Sequence, residues 1–75
     1  MTGGDNLLVH YFSDQNINKA EYDSSTMSMF ITFASGNKLS FLYVPIEMFE
    51  SLIETKDPYG YIFDEIMTDP SIGRG

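Results

Sequence analysis

Apolar and polar residues alternate in the middle of the chain and predict a β-hairpin. Over residues 26–34 one strand face is apolar throughout, at Met27, Met29, Ile31 and Phe33. This period of two is typical of a half-buried strand. Residues 35–38 supply a tight Ser-Gly-Asn-Lys turn, in which glycine and asparagine tolerate positive φ. Residues 39–44 return as the partner strand. Because both of its faces are partly apolar, we expect it to be central and covered on both sides.

The pattern changes at Pro45 from the period of a strand to that of a helix. Proline fixes φ near the helical value and has no N–H to lose, so it suits the first turn of a helix. The apolar residues that follow share one helical face, at Met48, Phe49, Leu52 and Ile53. This spacing predicts a helix from Pro45 to about Thr55.

Turn residues end this helix and separate it from a second one. Residues 57–60, Asp-Pro-Tyr-Gly, place a proline beyond the helix and a glycine that is free to take positive φ. The apolar residues Ile62, Phe63, Ile66 and Met67 then predict a shorter helix, which Asp69-Pro70 stops.

Two segments nearer the N-terminus favour strands. Residues 17–23 predict a short strand with Ala20 and Tyr22 on one face. Residues 7–12 are apolar and rich in β-formers, and their assignment to a strand stays open. Strands followed by helices predict an α+β fold, an antiparallel sheet of three or four strands with two C-terminal helices packed on it.

The length and composition indicate a small domain that associates with itself. A chain of 75 residues buries a thin core, so we expect one domain over residues 1–75 with flexible residues 1–6 and 71–75. Its lack of cysteine excludes disulfides and thiolate metal sites. Eleven aromatic residues and five methionines are more than a monomer of this size hides, so we predict a homodimer or homotetramer.

The formal charge of −7 limits the partners. Extended nucleic acid is disfavoured, because phosphate-backbone binding needs a broad basic face. Solubility alone can explain an acidic composition. An acidic surface could also dock on a basic host protein. No apolar run approaches the ~18 residues of a membrane span, and the N-terminus lacks the features of a signal peptide. We therefore expect a cytoplasmic protein, in the host cytoplasm if the chain is viral.

The chain offers no clear catalytic or metal-binding set. His10 is the only histidine, so metal sites and nucleophile–histidine pairs lack partners. Glu47, Glu50 and Glu54 are spaced like an acid/base pair or a hard-cation site, but a solvated helix face accounts for them. We therefore predict that the protein is not an enzyme and carries no metal or cofactor.

A glycine-containing turn supplies the most specific candidate for a ligand site. Two aromatic rings, Tyr59 and Tyr61, lie beside the cation Lys56, and such a group can stack on a base and meet a phosphate. The alternative is that Tyr61 packs in the core while Tyr59 lies on the surface. With residues from the neighbouring hairpin and the tail, the predicted ligand-binding set is Lys38, Tyr43, Lys56, Tyr59, Tyr61 and Arg74.

A set of motif positions over residues 17–69 resembles the KTSC domain family, which includes small bacterial and phage proteins. These positions are Tyr22-Asp23, Phe33 to Gly36, Val44-Pro45, Phe49, Leu52, Gly60, Phe63, Asp64 and Ile66. The chain departs from the family at Leu39 and Phe41, where the family has two tyrosines. It also differs over residues 55–58, and it has one extra residue near Tyr59. The resemblance implies the strand-then-helix fold and a suggested role in RNA binding.

One function is favoured and two alternatives remain. We expect a non-enzymatic protein that sequesters a small anionic ligand such as a cyclic nucleotide signal. Short viral proteins that blunt bacterial nucleotide signalling are similar in size and in oligomeric habit, which is an analogy at the level of the fold. The first alternative is an acidic inhibitor or DNA mimic that acts on a basic host protein. The second is the RNA binding that the resemblance implies.

Overall fold

The computed structural model describes residues 7–74 and confirms the α+β architecture. The strands are β1 (Leu7–Tyr11), β2 (Ile17–Asp23), β3 (Ser28–Phe33), β4 (Lys38–Leu42) and β5 (Gly73–Arg74). The helices are α1 (Ile46–Glu54) and α2 (Pro58–Tyr61), and α2 runs on as a π-helical turn over Ile62–Ile66. The strands form one antiparallel sheet in the order β1-β2-β3-β4-β5.

One face of the sheet carries the core. Tyr22 pairs with Met29, and Met29 pairs with Phe41, so these side chains point to the same face. All three are at most 2% exposed. A β-bulge between Ile17 and Lys19 shifts the register of β2 and lets Ile17 join the same core. The core face predicted from the alternation in β2 and β3 is confirmed for Ala20, Tyr22, Met29 and Ile31, whereas Met27 is 42% exposed.

Helix α1 covers this face with the apolar stripe predicted from its spacing. Phe49 is 3% exposed and Leu52 is fully buried. The ring of Phe49 stacks on that of Tyr22 with a centroid distance of 5.4 Å. Ile62 and Ile66 from the π-helical turn complete the cover. None of the described helices combines the length and the apolar content that a bilayer span requires.

The helices do not cover the opposite face of the sheet, which we call the open face, although Ser28 and Thr32 on it are buried. Val9 and Phe30 lie in one row across the strands, with Glu21 between them, and they are 44% and 37% exposed. We expected the strand over residues 39–44 to be covered on both sides. In the described structure β4 has a neighbouring strand on each side, but the helices pack on the core face, because their apolar stripe is one-sided.

The chain changes direction sharply between β4 and α1. Tyr43 has φ 61°, and this left-handed residue interrupts the strand alternation that we extended to residue 44. Val44 is therefore fully buried in the core instead of lying on the second strand face. Its N–H donates to the carbonyl of Met27 at 2.8 Å. Its carbonyl accepts from the Tyr22 hydroxyl at 2.6 Å.

Both ends of the described chain add a strand. Residues 7–12, whose assignment was open, contain β1, which pairs along β2. Residues 71–75 were predicted to be a flexible tail, and this prediction is corrected for 73–74, which form β5 against β4. The physical reason is that Ile72 packs against the core and holds the following residues at the sheet edge. The predicted flexibility of residues 1–6 lies outside the described residues.

The start of β3 differs from the prediction. Met27 was expected to belong to this strand, but it takes φ 59° and comes just before the strand begins.

The contact between helix and sheet yields a stability prediction. We expect Phe49→Ala to lower the free energy of unfolding by about 3–5 kcal/mol, because a buried aromatic ring leaves a cavity. Glu50→Ala, on the exposed side of the same helix, is the matched control and should change stability by about 0.5 kcal/mol or less. Chemical denaturation measures both. Equal effects of the two substitutions would contradict the packing described for α1.

The buried tyrosine yields a second prediction. Tyr22→Phe should cost about 1–3 kcal/mol at neutral pH, since the Val44 carbonyl loses its donor. Burial, and then the charges of Glu47 and Asp23, raise the pKa of Tyr22 above its ordinary value of 10.0. The unfolded chain therefore loses this proton first, and native stability falls as the pH rises above about 10. The melting temperature of the unmodified chain should fall more steeply there than that of Tyr22→Phe, and parallel profiles would contradict this.

Candidate functional site

An open cleft lies at the end of the sheet where β3 turns into β4. Its volume is about 640 Å3, within the range of about 300–1,000 Å3 that is common for small-molecule sites. Three parts of the chain form its walls: the loop between β1 and β2, the β3–β4 turn, and the helical segment that begins with α2. The cleft is therefore formed where the sheet and its helical cover meet at one end.

Three aromatic rings form one wall of the cleft. The ring of Phe33 lies edge-on to that of Tyr59 at 5.9 Å and stacks with that of Phe63 at 6.2 Å. Tyr59 and Phe63 are 4.8 Å apart. Phe33 is half-buried against the core, while Tyr59 and Phe63 are 41% and 38% exposed. The wall thus presents two accessible aromatic surfaces held by a third ring.

The local sequence of α2 explains how these rings are placed. Pro58 occupies the first turn, and the carboxylate of Asp57 accepts a hydrogen bond from the N–H of Gly60 at 3.0 Å. A Cβ at residue 60 would collide with that carboxylate, so glycine fits this close approach. Tyr59 and Phe63 are four residues apart, a spacing that places them on the same side of the helical segment.

Backbone hydrogen bonds hold the polar side of the cleft. The N–H of Ala34 donates to the carbonyl of Asn16 at 3.0 Å, which ties the β1–β2 loop to the hairpin turn. Gly36 has φ 97° and its N–H closes the turn on the Phe33 carbonyl at 2.9 Å. Gln15, Asn16, Ser35 and Asn37 are among the residues that line this side. Amide and hydroxyl groups are therefore available beside the aromatic wall.

The residues that line the cleft carry one positive charge, and the nearby Asp14 carboxylate accepts a hydrogen bond from the N–H of Asn16. Lys38 is the cation among its lining residues, and none of those residues is acidic. The two carboxyl groups whose pKa values are lowered, Asp23 and Asp69, accept hydrogen bonds from Ser25 and Ser71 and do not line the cleft. An anion can thus approach this part of the surface even though the chain carries −7 in total.

The residues that the structure describes offer no metal-binding arrangement at the cleft. Within residues 7–74, no group of three or more histidine, aspartate, glutamate or cysteine side chains is arranged to hold a metal ion. The ring of His10 packs edge-on against Phe12 at 4.7 Å. A cleft with an aromatic wall, amides and one ammonium group is suited to binding.

Two of the six residues predicted to bind ligand line the cleft. They are Lys38 on the hairpin and Tyr59 on α2. Lys56 is exposed beyond the end of α1, and Tyr61 is half-buried against the core, and neither lines the cleft. Because residues 58–61 form a helical turn, Tyr59 and Tyr61 point in different directions, which agrees with the alternative stated for Tyr61.

The other two predicted residues lie at the far end of β4. Tyr43 follows the strand and is 66% exposed, with its ring beside Gly73. Arg74 pairs with Phe41, and its guanidinium lies 5.9 Å from that ring. The structure therefore does not bring Tyr43 or Arg74 to the cleft, because β4 separates them from the hairpin turn.

Sequence reasoning missed two of the three rings in the wall. The alternation of β3 placed Phe33 on the core side of the strand, and the helical spacing placed Phe63 on the apolar side of the second helix. A usable signal was present, since Tyr59, Phe63 and Met67 recur every four residues and all three line the cleft. The amides of Asn16 and Asn37 gave no signal beyond turn chemistry.

The comparisons with known proteins identify a family. The family model described as the KTSC domain matches residues 13–74. This match covers most of the chain, so the chain belongs to the KTSC domain family. The searches of curated proteins and of solved structures gave no match.

The close approach in α2 yields a prediction of coupling between two residues. Gly60→Ala should be less favourable in the wild-type chain than in an Asp57→Ala background, because the added Cβ meets the Asp57 carboxylate and weakens a cap of about 0.5–2 kcal/mol. In the Asp57→Ala background the same change should stabilise the domain by up to about 1 kcal/mol, since alanine favours a helix over glycine. A double-mutant cycle by chemical denaturation measures the coupling. Additive effects would contradict the geometry described for this turn.

Proposed function

We propose that this KTSC domain binds a planar anion of nucleotide size in the cleft and does not transform it. The observation that carries the proposal is the wall of Phe33, Tyr59 and Phe63 beside Lys38. Aromatic rings left accessible in a cleft are suited to a planar partner, and an ammonium group is suited to a phosphate.

The exposed rings support recognition of a base. Tyr59 and Phe63 are 41% and 38% exposed, whereas the aromatic residues Tyr22, Phe41 and Phe49 are buried in the core. A stacked base contributes about 1–3 kcal/mol to binding, and this contribution depends little on which base it is. Phe33 holds the two outer rings in place, so a ligand meets a surface that is already formed, which lowers the cost of binding.

The polar side supports recognition of the edges and the charge of the ligand. Side-chain amides from Gln15, Asn16 and Asn37 can donate to and accept from a base edge. Lys38 can form one charge-assisted hydrogen bond of about 1.5–3 kcal/mol. A cyclic mononucleotide has one base and one negative charge, and it matches a cleft with one stacking wall and one cation. Sequestration of such a signal is the role that we propose.

The balance of these contributions sets the expected affinity. One stacked base, one charge-assisted bond and two neutral hydrogen bonds amount to about 3.5–9 kcal/mol before the cost of association. Association costs at least about 4 kcal/mol, which leaves at most about 5 kcal/mol. We therefore expect dissociation constants of about 0.2–1 mM for the cleft of one chain. Salt should weaken binding only modestly, since a single ammonium group is involved.

Calorimetry with a panel of nucleotides tests the proposal. Adenosine monophosphate, cyclic mononucleotides, a cyclic dinucleotide and a short single-stranded RNA should be titrated into the full chain. Tyr59→Ala should weaken binding about 5- to 150-fold, which corresponds to the loss of one stacking contact. The nucleotide recovered afterwards should be chemically unchanged.

Two substitutions outside the cleft serve as matched controls. Tyr43→Ala and Lys56→Ala remove an exposed tyrosine and an exposed lysine, and both should leave the affinity unchanged. Absence of binding below about a millimolar, or equal losses in Tyr59→Ala and Tyr43→Ala, would overturn the proposal. Tight binding of RNA with weak binding of all mononucleotides would favour the RNA-binding role instead.

One observation favours a second candidate, binding to a basic protein. Glu47, Glu50 and Glu54 of α1 are all exposed and present a row of carboxylates. Such a row suits docking on a cationic surface, and the affinity would then fall steeply with salt. Reversal of Glu50 and Glu54 to lysine distinguishes the candidates, because it should abolish protein docking and leave nucleotide binding in place.

A further inference from the structure

Strand β1 is an exposed edge of the sheet with no charged residue. It is the first strand in the sheet order, so one of its two sides has no neighbouring strand among residues 7–74. Leu7, Leu8, Val9 and Tyr11 are 41%, 42%, 44% and 68% exposed. Exposed, apolar edge strands readily pair with another strand. The other edge, β5, differs in having two residues, one of which is Arg74.

The backbone of β1 shows which groups are left unpaired at this edge. The N–H of Phe12 donates to the carbonyl of Asn18. Phe12 and Asn18 form the next pair along the ladder after Tyr11 and Lys19. Bonded and non-bonded pairs alternate along an antiparallel ladder. His10 and Leu8 therefore also bond towards β2, and the N–H and C=O groups of Leu7, Val9 and Tyr11 point to the open side.

We propose that β1 pairs with β1 of a second copy of this chain, antiparallel and centred on Val9. In this register Val9 lies opposite Val9 of the partner subunit, and Leu7 lies opposite the partner's Tyr11. The outward N–H and C=O groups then meet in three bonded pairs, which provide six hydrogen bonds across a two-fold axis. The two sheets join into one sheet of ten strands.

The side chains of β1 complement themselves in the same register. Leu7, Val9 and Tyr11 of both copies come together on the open face of the sheet, and Leu8 lies opposite the partner's His10 on the other face. Cross-strand pairs of aromatic and aliphatic residues stabilise a sheet. No aspartate, glutamate, lysine or arginine lies in the strand, so no like charges meet.

The distribution of charge favours contact at this edge. Seven of the eleven acidic residues lie between residues 46 and 69, in the helical layer and the turn that follows it. Two chains of charge −7 repel each other. Pairing along β1 joins two strands that have no acidic residue, and the nearest carboxylates within the described sheet are those of Glu21 and Asp23 on β2. The KTSC match begins at residue 13, so β1 lies outside the part that defines the family.

The absence of cysteine makes the register directly testable. Wild-type chain should sediment as a dimer, twice the monomer mass of 8.5 kDa, at tens of micromolar. Val9→Cys should form a disulfide-linked dimer on mild oxidation, because a bonded antiparallel pair has a Cα separation of about 5.5 Å, within reach of a disulfide. Ser40→Cys, on the same face but on β4, should remain unlinked.

A proline substitution separates pairing from folding. Val9→Pro removes an outward N–H and should leave the monomer folded, because proline is tolerated on an edge strand facing solvent. It should convert the dimer into a monomer with an unchanged circular dichroism spectrum. Phe30→Arg, on the open face away from the edge, should remain dimeric. A wild-type mass of 8.5 kDa, a dimer that persists in Val9→Pro, or a dimer lost in Phe30→Arg would each overturn the proposal.

Discussion

The hydrogen bond from the Tyr22 hydroxyl to the Val44 carbonyl is the constraint on which the arrangement of sheet and helix depends. Val44 is fully buried where the chain leaves the sheet, and a buried carbonyl without a donor is costly. Its carbonyl bonds with Tyr22 at 2.6 Å, and its N–H bonds with Met27 at 2.8 Å. With both polar groups satisfied, the chain can pass through the core and enter α1 at Pro45.

This constraint determines where the cleft forms. The ring of Tyr22 also stacks on Phe49, so the residue that fixes the start of α1 also supports its middle. Helix α1 therefore lies over one part of the sheet, and the segment that follows it reaches the hairpin end. There α2 and the π-helical turn place Tyr59 and Phe63 beside Phe33. The accessible rings lie where this helical segment meets the end of the sheet.

The periodicity of apolar residues was enough to predict β2, the β3–β4 hairpin and α1, because each buries one face. It was not enough where tertiary contacts override local pattern. Tyr43 takes positive φ without a glycine or asparagine to signal it, and β5 is too short to have a period. In the site, Lys38 and Tyr59 were predicted from turn chemistry. Phe33 was assigned to the core, since a pattern of alternation does not show where the helical cover stops.

The make-up of the cleft determines what kind of selectivity the proposed site has. Three aromatic rings lie on one side, whereas β4 contributes Lys38 and Leu39. The side chain of Leu39 has no hydrogen-bonding group, so it offers a ligand only an apolar surface. Selectivity should therefore rest more on stacking and shape, which are tolerant of base identity, and less on polar contacts from the sheet.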